Sequence, residues 1–391
     1  MNELIVRIAA RGDGVTSSGR HVPFGVPGDA LLDDGALALG AHHQEPPCTL
    51  FPRCGGCQLQ QADDFAYLGY LVSRIETALA SHGLAPEIRA PHLSPPNSRR
   101  RATLRAQTLG DRTLLGFHEE KSHRIVDMRE CHILRPELFA LVGQLRSMLG
   151  AMLGQKRTAQ VQMTLIDQGV DMQLSGVPAD DLSAMERLTS FATQHGLPRL
   201  SLDHGLGPET IYEPVPSKVT LSGVPVDFPV GAFLQATEDG EDALVAAVSE
   251  GLKGSGRIAD LFCGIGTFAI PLHVTYAAEA SRDALAVLKR AVPGTIVEHR
   301  DLYRRALNLR ELANFDAVIL DPPRAGAQEQ VSALAGSDVA RIAYVSCNPA
   351  SFARDAKTLA EGGYALEWVK PVGQFRWSTH VELVGIFHRH R

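Results

Sequence analysis

The sequence predicts an α/β protein: a doubly wound parallel sheet in its C-terminal part, a mixed α+β central region, and a small β-barrel at the N-terminus. Three observations carry this. From residue 231 onward, apolar β-prone runs alternate with segments of helical period, the sign of a parallel sheet with crossover helices. Two of those runs end in Asp321-Pro322-Pro323-Arg324 and in Cys347-Asn348-Pro349, at strand ends outside which such sheets bind their ligands. The first 45 residues are short β-prone runs cut by glycine turns. With 391 residues the chain has room for three units, placed at 1–45, 46–230 and 231–391.

Composition narrows the class. At 45% hydrophobic and 21% charged residues, the chain is globular. A net charge of −6 excludes a global basic field, so a nucleic-acid partner must be held by local patches. The first residues lack the apolar core of a signal peptide, and no run nears the roughly 18 apolar residues of a membrane span. A cytoplasmic protein without membrane contact is expected. There, six cysteines read as metal ligands or catalytic groups rather than disulfides.

In chain order, Arg11-Gly12-Asp13-Gly14 and Ser18-Gly19 punctuate the N-terminal runs, and the pattern resembles a TRAM domain, an RNA-binding barrel of the oligonucleotide-binding type. A plain structural cap is the alternative. Next come Cys48, Cys54-Gly55-Gly56-Cys57 and, far downstream, Cys131. Soft ligands around a Gly-Gly that lets the backbone wrap closely make a thiophilic metal site. Three clustered cysteines and one remote one fit a [4Fe-4S] cluster better than zinc, which usually uses two two-cysteine knuckles. Arg99-Arg100-Arg101 and Arg105 then form the densest basic patch of an acidic chain, a candidate for RNA phosphate contact or simply a solvated face. Residues 114–117, 160–165 and 171–174 alternate like strands, and 214–217 reads as a hinge.

In the C-terminal third, a strand-like run into Asp260-Leu261-Phe262-Cys263-Gly264-Ile265-Gly266-Thr267 predicts a strand, a glycine turn and a helix start. That turn lets a nucleoside-bearing ligand approach the backbone. Glu279 closes the following strand, where a carboxylate accepts hydrogen bonds from ribose hydroxyls. Cys347 reads either as a buried structural thiol or as a nucleophile. Ser378-Thr379-His380-Val381-Glu382 enters a last strand, bringing His380 or Glu382 towards the same rim or leaving them as structural and surface groups.

These four motifs, Asp260 to Phe268, Asp321 to Ala327, Ser346 to Asp355 and Thr379 to Glu382, in this order resemble the RNA uridine C5-methyltransferase family. The upstream cysteines resemble its iron–sulfur branch, which modifies 23S ribosomal RNA. The resemblance implies a class I, Rossmann-like methyltransferase domain, S-adenosylmethionine as methyl donor, and RNA as partner with 23S rRNA foremost; a monomer is expected. It implies Cys347 as the nucleophile on uracil C6 and Glu382 as the base that removes the C5 proton. It implies Gln235, Phe262, Thr267, Glu279, Asp301 and Asp321 around the cofactor. The target base has to be flipped out to be reached. The competing readings are the same chemistry on tRNA, an amino-group methyltransferase, and an iron–sulfur RNA-binding module with a degenerate enzyme domain.

Overall fold

The computed structural model describes residues 2–389. Their strands form three large sheets and one hairpin. The N-terminal sheet runs in the order His21–Val22, Gly14–Thr16, Glu3–Ile8, Ala30–Leu31, Leu37–Ala38, with antiparallel neighbours. Its own core is small, chiefly Ile5, Val22 and Leu31. The buried Asp29 carboxylate supplies further order, accepting from the amides of Val26 at 2.8 Å and Gly40 at 2.7 Å.

The central sheet has six strands in the order Pro208–Tyr212, Arg199–Asp203, Gly169–Ser175, Thr158–Ile166, Arg101–Leu109, Arg112–Gly116. The Arg101–Leu109 strand alternates regularly, with Ala102, Leu104 and Ala106 buried. They pack with the inner face of the helix Pro136–Met152, on which Leu138, Leu145 and Leu149 are buried.

The third sheet runs Ile296–His299, Tyr276–Glu279, Ile258–Leu261, Ala317–Leu320, Arg341–Ser346, Glu382–Arg389, Tyr364–Gly373 and Glu87–Ile88, with His92–Leu93 also on Tyr364–Gly373. The first five are parallel and Glu382–Arg389 is antiparallel to its neighbours. Strand order reverses between Ile258–Leu261 and Ala317–Leu320, the switch point at which such sheets open a crevice.

Two expectations need correction. The boundary at 230/231 does not separate the sheets. The helix Asp64–Ala80 and the short strands at 87–93 belong with the C-terminal sheet, where Trp368 pairs with Glu87 and Val372 with His92. The helix buries Tyr67, Tyr70, Leu71, Ile75 and Leu79 on one face, and that face shares its core chiefly with this sheet and its covering helix Pro349–Glu361, with Ile8 and Val26 of the N-terminal region at its margin. The predicted helix after Gly266 is also absent: residues 264–272 are successive turns. Pro271 has no amide to donate and stops the helix within its first turns. No helix among the described residues is long and apolar enough to cross a membrane.

Candidate active site

Cys347 is placed by local rules. The strand Arg341–Ser346 ends one residue before it, and Asn348 caps the helix Pro349–Glu361, its side chain accepting from the Ala350 amide at 3.2 Å. Pro349 sits in the first turn, where a missing N–H costs nothing. The thiol is thereby held between strand end and helix start.

The neighbouring strand Ile258–Leu261 leads into Phe262, whose φ of 66° is unusual for a bulky side chain, and into Gly264 and Gly266 at positive φ. A Cβ on Gly266 would lie 2.6 Å from Leu288 Cδ1, so the turn packs closely. Glu279 closes this loop. Its Oε2 accepts from the Gly264 amide at 3.1 Å, and its Oε1 from the amides of Ala280 and Ser281 at 2.7 and 2.9 Å.

These strand ends border a cleft of about 910 Å³. Cys347, Glu382, Phe262, Thr267, Glu279, Asp301 and Asp321 all line it. Gln235 does not. It is 2% exposed, and its Oε1 accepts from Gln374 Nε2 at 2.8 Å. Gln374 Oε1 in turn accepts from the Ala236 amide at 2.8 Å, and the Gln374 side chain also bonds the Glu382 carboxyl. Gln235, expected around the cofactor, thus stands behind the cleft lining and not on it. Sequence reasoning does not find Gln374, because a link spanning 139 positions leaves no local pattern.

Charge in the cleft is coupled. Burial pushes the Glu382 carboxyl up to about 7, against the Gln374 hydrogen bond and the Arg101 charge. Burial, with the charges of Glu382 and Glu279, raises Asp321 to about 8. Burial and the carboxyls of Glu382 and Asp321 push the Cys347 thiol up to about 11, with Arg324 opposing. At neutral pH the thiol thus keeps its proton until a base takes it, and two carboxyls poised near neutrality share its cleft. His380, which lines the cleft but is exposed, is pushed below its ordinary value by partial desolvation and by the charges of Arg324 and Arg99.

The arginine run divides. Arg99 and Arg101 line the cleft, Arg101 lying 4.1 Å from the Phe233 ring centroid and Arg99 5.5 Å from that of Phe375. Arg105 is exposed on the outer face of its strand. Arg100 is corrected: it is 3% exposed and donates to Glu241 Oε2 at 2.7 Å and to the Gln235 carbonyl at 3.0 Å. Adjacent residues of an extended segment face opposite ways, so four arginines in this run cannot make one patch.

Opposite the strand ends, Gly55, Gly56 and Gln58 of the cysteine loop form another part of the cleft lining. Behind them Cys48, Cys54, Cys57 and Cys131 surround one small pocket, all free thiols. A Cβ on Gly55 would stand 2.6 Å from the His118 carbonyl oxygen, which explains the glycine. Burial raises all four thiols, Cys48 to about 11 and Cys57 to about 12. Among the described residues no three His, Cys, Asp or Glu side chains are gathered closely enough to hold one metal ion.

Comparison with known proteins agrees with this geometry. Residues 291–391 match the model of the tRNA (uracil-5-)-methyltransferase family. An RNA methyltransferase of Zymomonas mobilis is 50% identical over 98% of both chains. The 23S rRNA (uracil(1939)-C(5))-methyltransferase RlmD of Bordetella parapertussis is 31% identical over 88% of this chain and 79% of its own. The crystal structure of Pyrococcus abyssi tRNA (uracil-54, C5)-methyltransferase in complex with S-adenosyl-L-homocysteine superposes with a TM-score of 0.76 over 99% of both chains, at 22% identity, and so shares the fold. On this relatedness the chain belongs to the RNA uracil-C5 methyltransferases, enzymes that use S-adenosylmethionine as methyl donor.

Proposed function

We propose that this enzyme methylates a uridine of 23S rRNA at C5 through a covalent bond between Cys347 and uracil C6. The observation that carries the reading is the meeting of one thiol and two near-neutral carboxyls, Cys347, Asp321 and Glu382, in a cleft floored by a glycine turn. A carboxylate of the cleft takes the thiol proton as sulfur adds to C6. Electrons displaced from the C5–C6 double bond make C5 a nucleophile, and C5 accepts the methyl group that S-adenosylmethionine supplies. Glu382 removes the C5 proton, the double bond re-forms, and the C6–S bond breaks to release Cys347. A carboxyl raised to about 7 suits that step, since a general base works best near the operating pH. Glu279 is suited to the cofactor's ribose, with Phe262, Thr267 and Asp301 around it and Asp321 between cofactor and uracil. Arg99 and Arg101 hold the RNA at the cleft. The activity of the Bordetella relative supports ribosomal RNA as the substrate.

The four thiols, Cys48 and Cys57 buried and Cys54 and Cys131 partly so, are the donor set a [4Fe-4S] cluster takes. Three cysteines close in sequence and one remote one favour the cluster over zinc, which usually takes two two-cysteine knuckles. Cys48, Cys54, Cys57 and Cys131 would hold it, and its contribution is structural. The N-terminal sheet serves as a TRAM-like RNA support, and the enzyme acts as a cytoplasmic monomer. Anaerobically purified protein should be brown with about four irons per chain. Stoichiometric zinc without iron would overturn the cluster.

The decisive experiment separates Cys347 from Glu382. Cys347→Ala should abolish both methylation and any covalent RNA adduct. Glu382→Gln should stall after methyl transfer, slowed by about 10² to 10⁴, with methylated RNA attached through denaturing electrophoresis. Normal turnover by Glu382→Gln would move the base elsewhere. Mass-spectrometric mapping of 5-methyluridine in rRNA and tRNA from cells with and without the protein identifies the RNA.

A further inference from the structure

Residues 375–380 bring His380, and two positions later Glu382, to the cleft, yet they have no regular secondary structure. Several of their backbone polar groups are satisfied by other parts of the chain. On one side, the Tyr67 hydroxyl faces the carbonyls of Phe375 and Ser378 at 2.9 and 3.0 Å, and that of Tyr70 the Thr379 carbonyl at 3.2 Å. On the other side the ties come from the cysteine loop. The amides of Gln58 and Leu59 both donate to the Trp377 carbonyl, at 2.7 and 2.9 Å. The Gln58 side chain adds a clamp. Its Nε2 donates to the Gly55 carbonyl at 2.8 Å, inside the Cys54–Cys57 turn, and its Oε1 accepts from the Thr379 amide at 3.3 Å. Trp377 is buried in the same core as Cys57. The carboxamide supplies the donor that Gly55 needs together with the acceptor that Thr379 needs, whereas a carboxylate supplies only the acceptor and a thioether neither N–H nor O–H donor.

We propose that Gln58 is a positioning residue that ties the four-cysteine site to the segment carrying His380 and Glu382, so that filling or emptying the thiols sets how firmly that segment is held. This rests on the reading of Glu382 as base and of the thiols as a metal site. The tyrosine ties come from the helix Asp64–Ala80 and not from the cysteine loop and persist, so an emptied site loosens the segment without unfolding it. The enzyme then transfers methyl groups but releases its product poorly.

Hydrogen-exchange mass spectrometry on the full chain tests this directly, with metal content measured on each sample. The samples are anaerobically purified wild type, the same protein after iron chelation, and Gln58→Met, which keeps the side-chain length but neither hydrogen bond. In the second and third samples, exchange of a peptide covering 375–381 should rise on the order of tenfold, while the helix Asp64–Ala80 stays protected. Gln58→Glu keeps the acceptor for Thr379 and should fall between Gln58→Met and wild type. With RNA substrate, Gln58→Met should accumulate methylated adduct, whereas a lesion that only weakens the fold would lower adduct and product together. Unchanged exchange in Gln58→Met overturns the proposal whether its metal is kept or lost, and so does unchanged exchange after chelation. Failure of Glu382→Gln to trap an adduct would remove the base assignment, while the exchange measurement would still decide whether Gln58 holds the segment.

Discussion

Asp260 shows what a single buried carboxyl costs. It is fully buried in the strand Ile258–Leu261, where burial and the Asp321 charge push it well above the usual carboxylate range, against the pull of the Ala269 amide. In the unfolded chain the same group ionises near pH 4. Between that pH and its raised folded value, the native state holds one proton more than the unfolded state. Stability therefore falls as pH rises through this window, by about 1.4 kcal/mol per pH unit from this group. Asp260→Asn, which carries no titrating proton, should remove that slope. Urea unfolding at pH 5 and pH 7 should show the variant gaining on wild type at the higher pH; parallel losses in both proteins would mean that Asp260 is ionised in the fold. A sequence displays such an aspartate beside a glycine turn but not its burial, so from the sequence Asp260 is only part of a motif.

At the scale of elements, strand alternation sorts the arginines. Arg100→Ala should cost about 3 kcal/mol in urea unfolding, because it leaves Glu241 buried without its partner. Arg105→Ala, on the exposed face, should change stability by less than about 0.5 kcal/mol while lowering the salt slope of RNA binding by about one. If both variants behave alike, the division of the run is wrong. The strand-end motifs are legible because strand, turn and cap are local: Cys347 needs only the run before it and Asn348-Pro349 after it. The turns at 264–272 look like a helix when glycine and period are weighed and Pro271 is not. Gln374 and Gln58 are illegible, since each joins a near neighbour to a partner more than a hundred positions away, and the distant half of the link leaves no local pattern.

At the scale of the molecule, the long helix near the N-terminus and the strands at 87–93 complete a sheet built almost wholly from the C-terminal third. A chain starting at residue 94 should therefore lack a cooperative thermal transition, although it retains Cys347, Glu382 and the glycine turn. A sharp transition in that fragment would restore the boundary at 230/231. The order of emergence from the ribosome gives the same feature another meaning. The apolar face of Asp64–Ala80 leaves the exit tunnel about 280 residues before Tyr364–Gly373, which it packs against. At about 5–20 residues per second that is a wait on the order of tens of seconds. Throughout it, Tyr67, Leu71 and Ile75 lack the sheet and helix that make up most of their core, so the nascent chain is most exposed to chaperones and to aggregation early in synthesis, and its last strands release it from both.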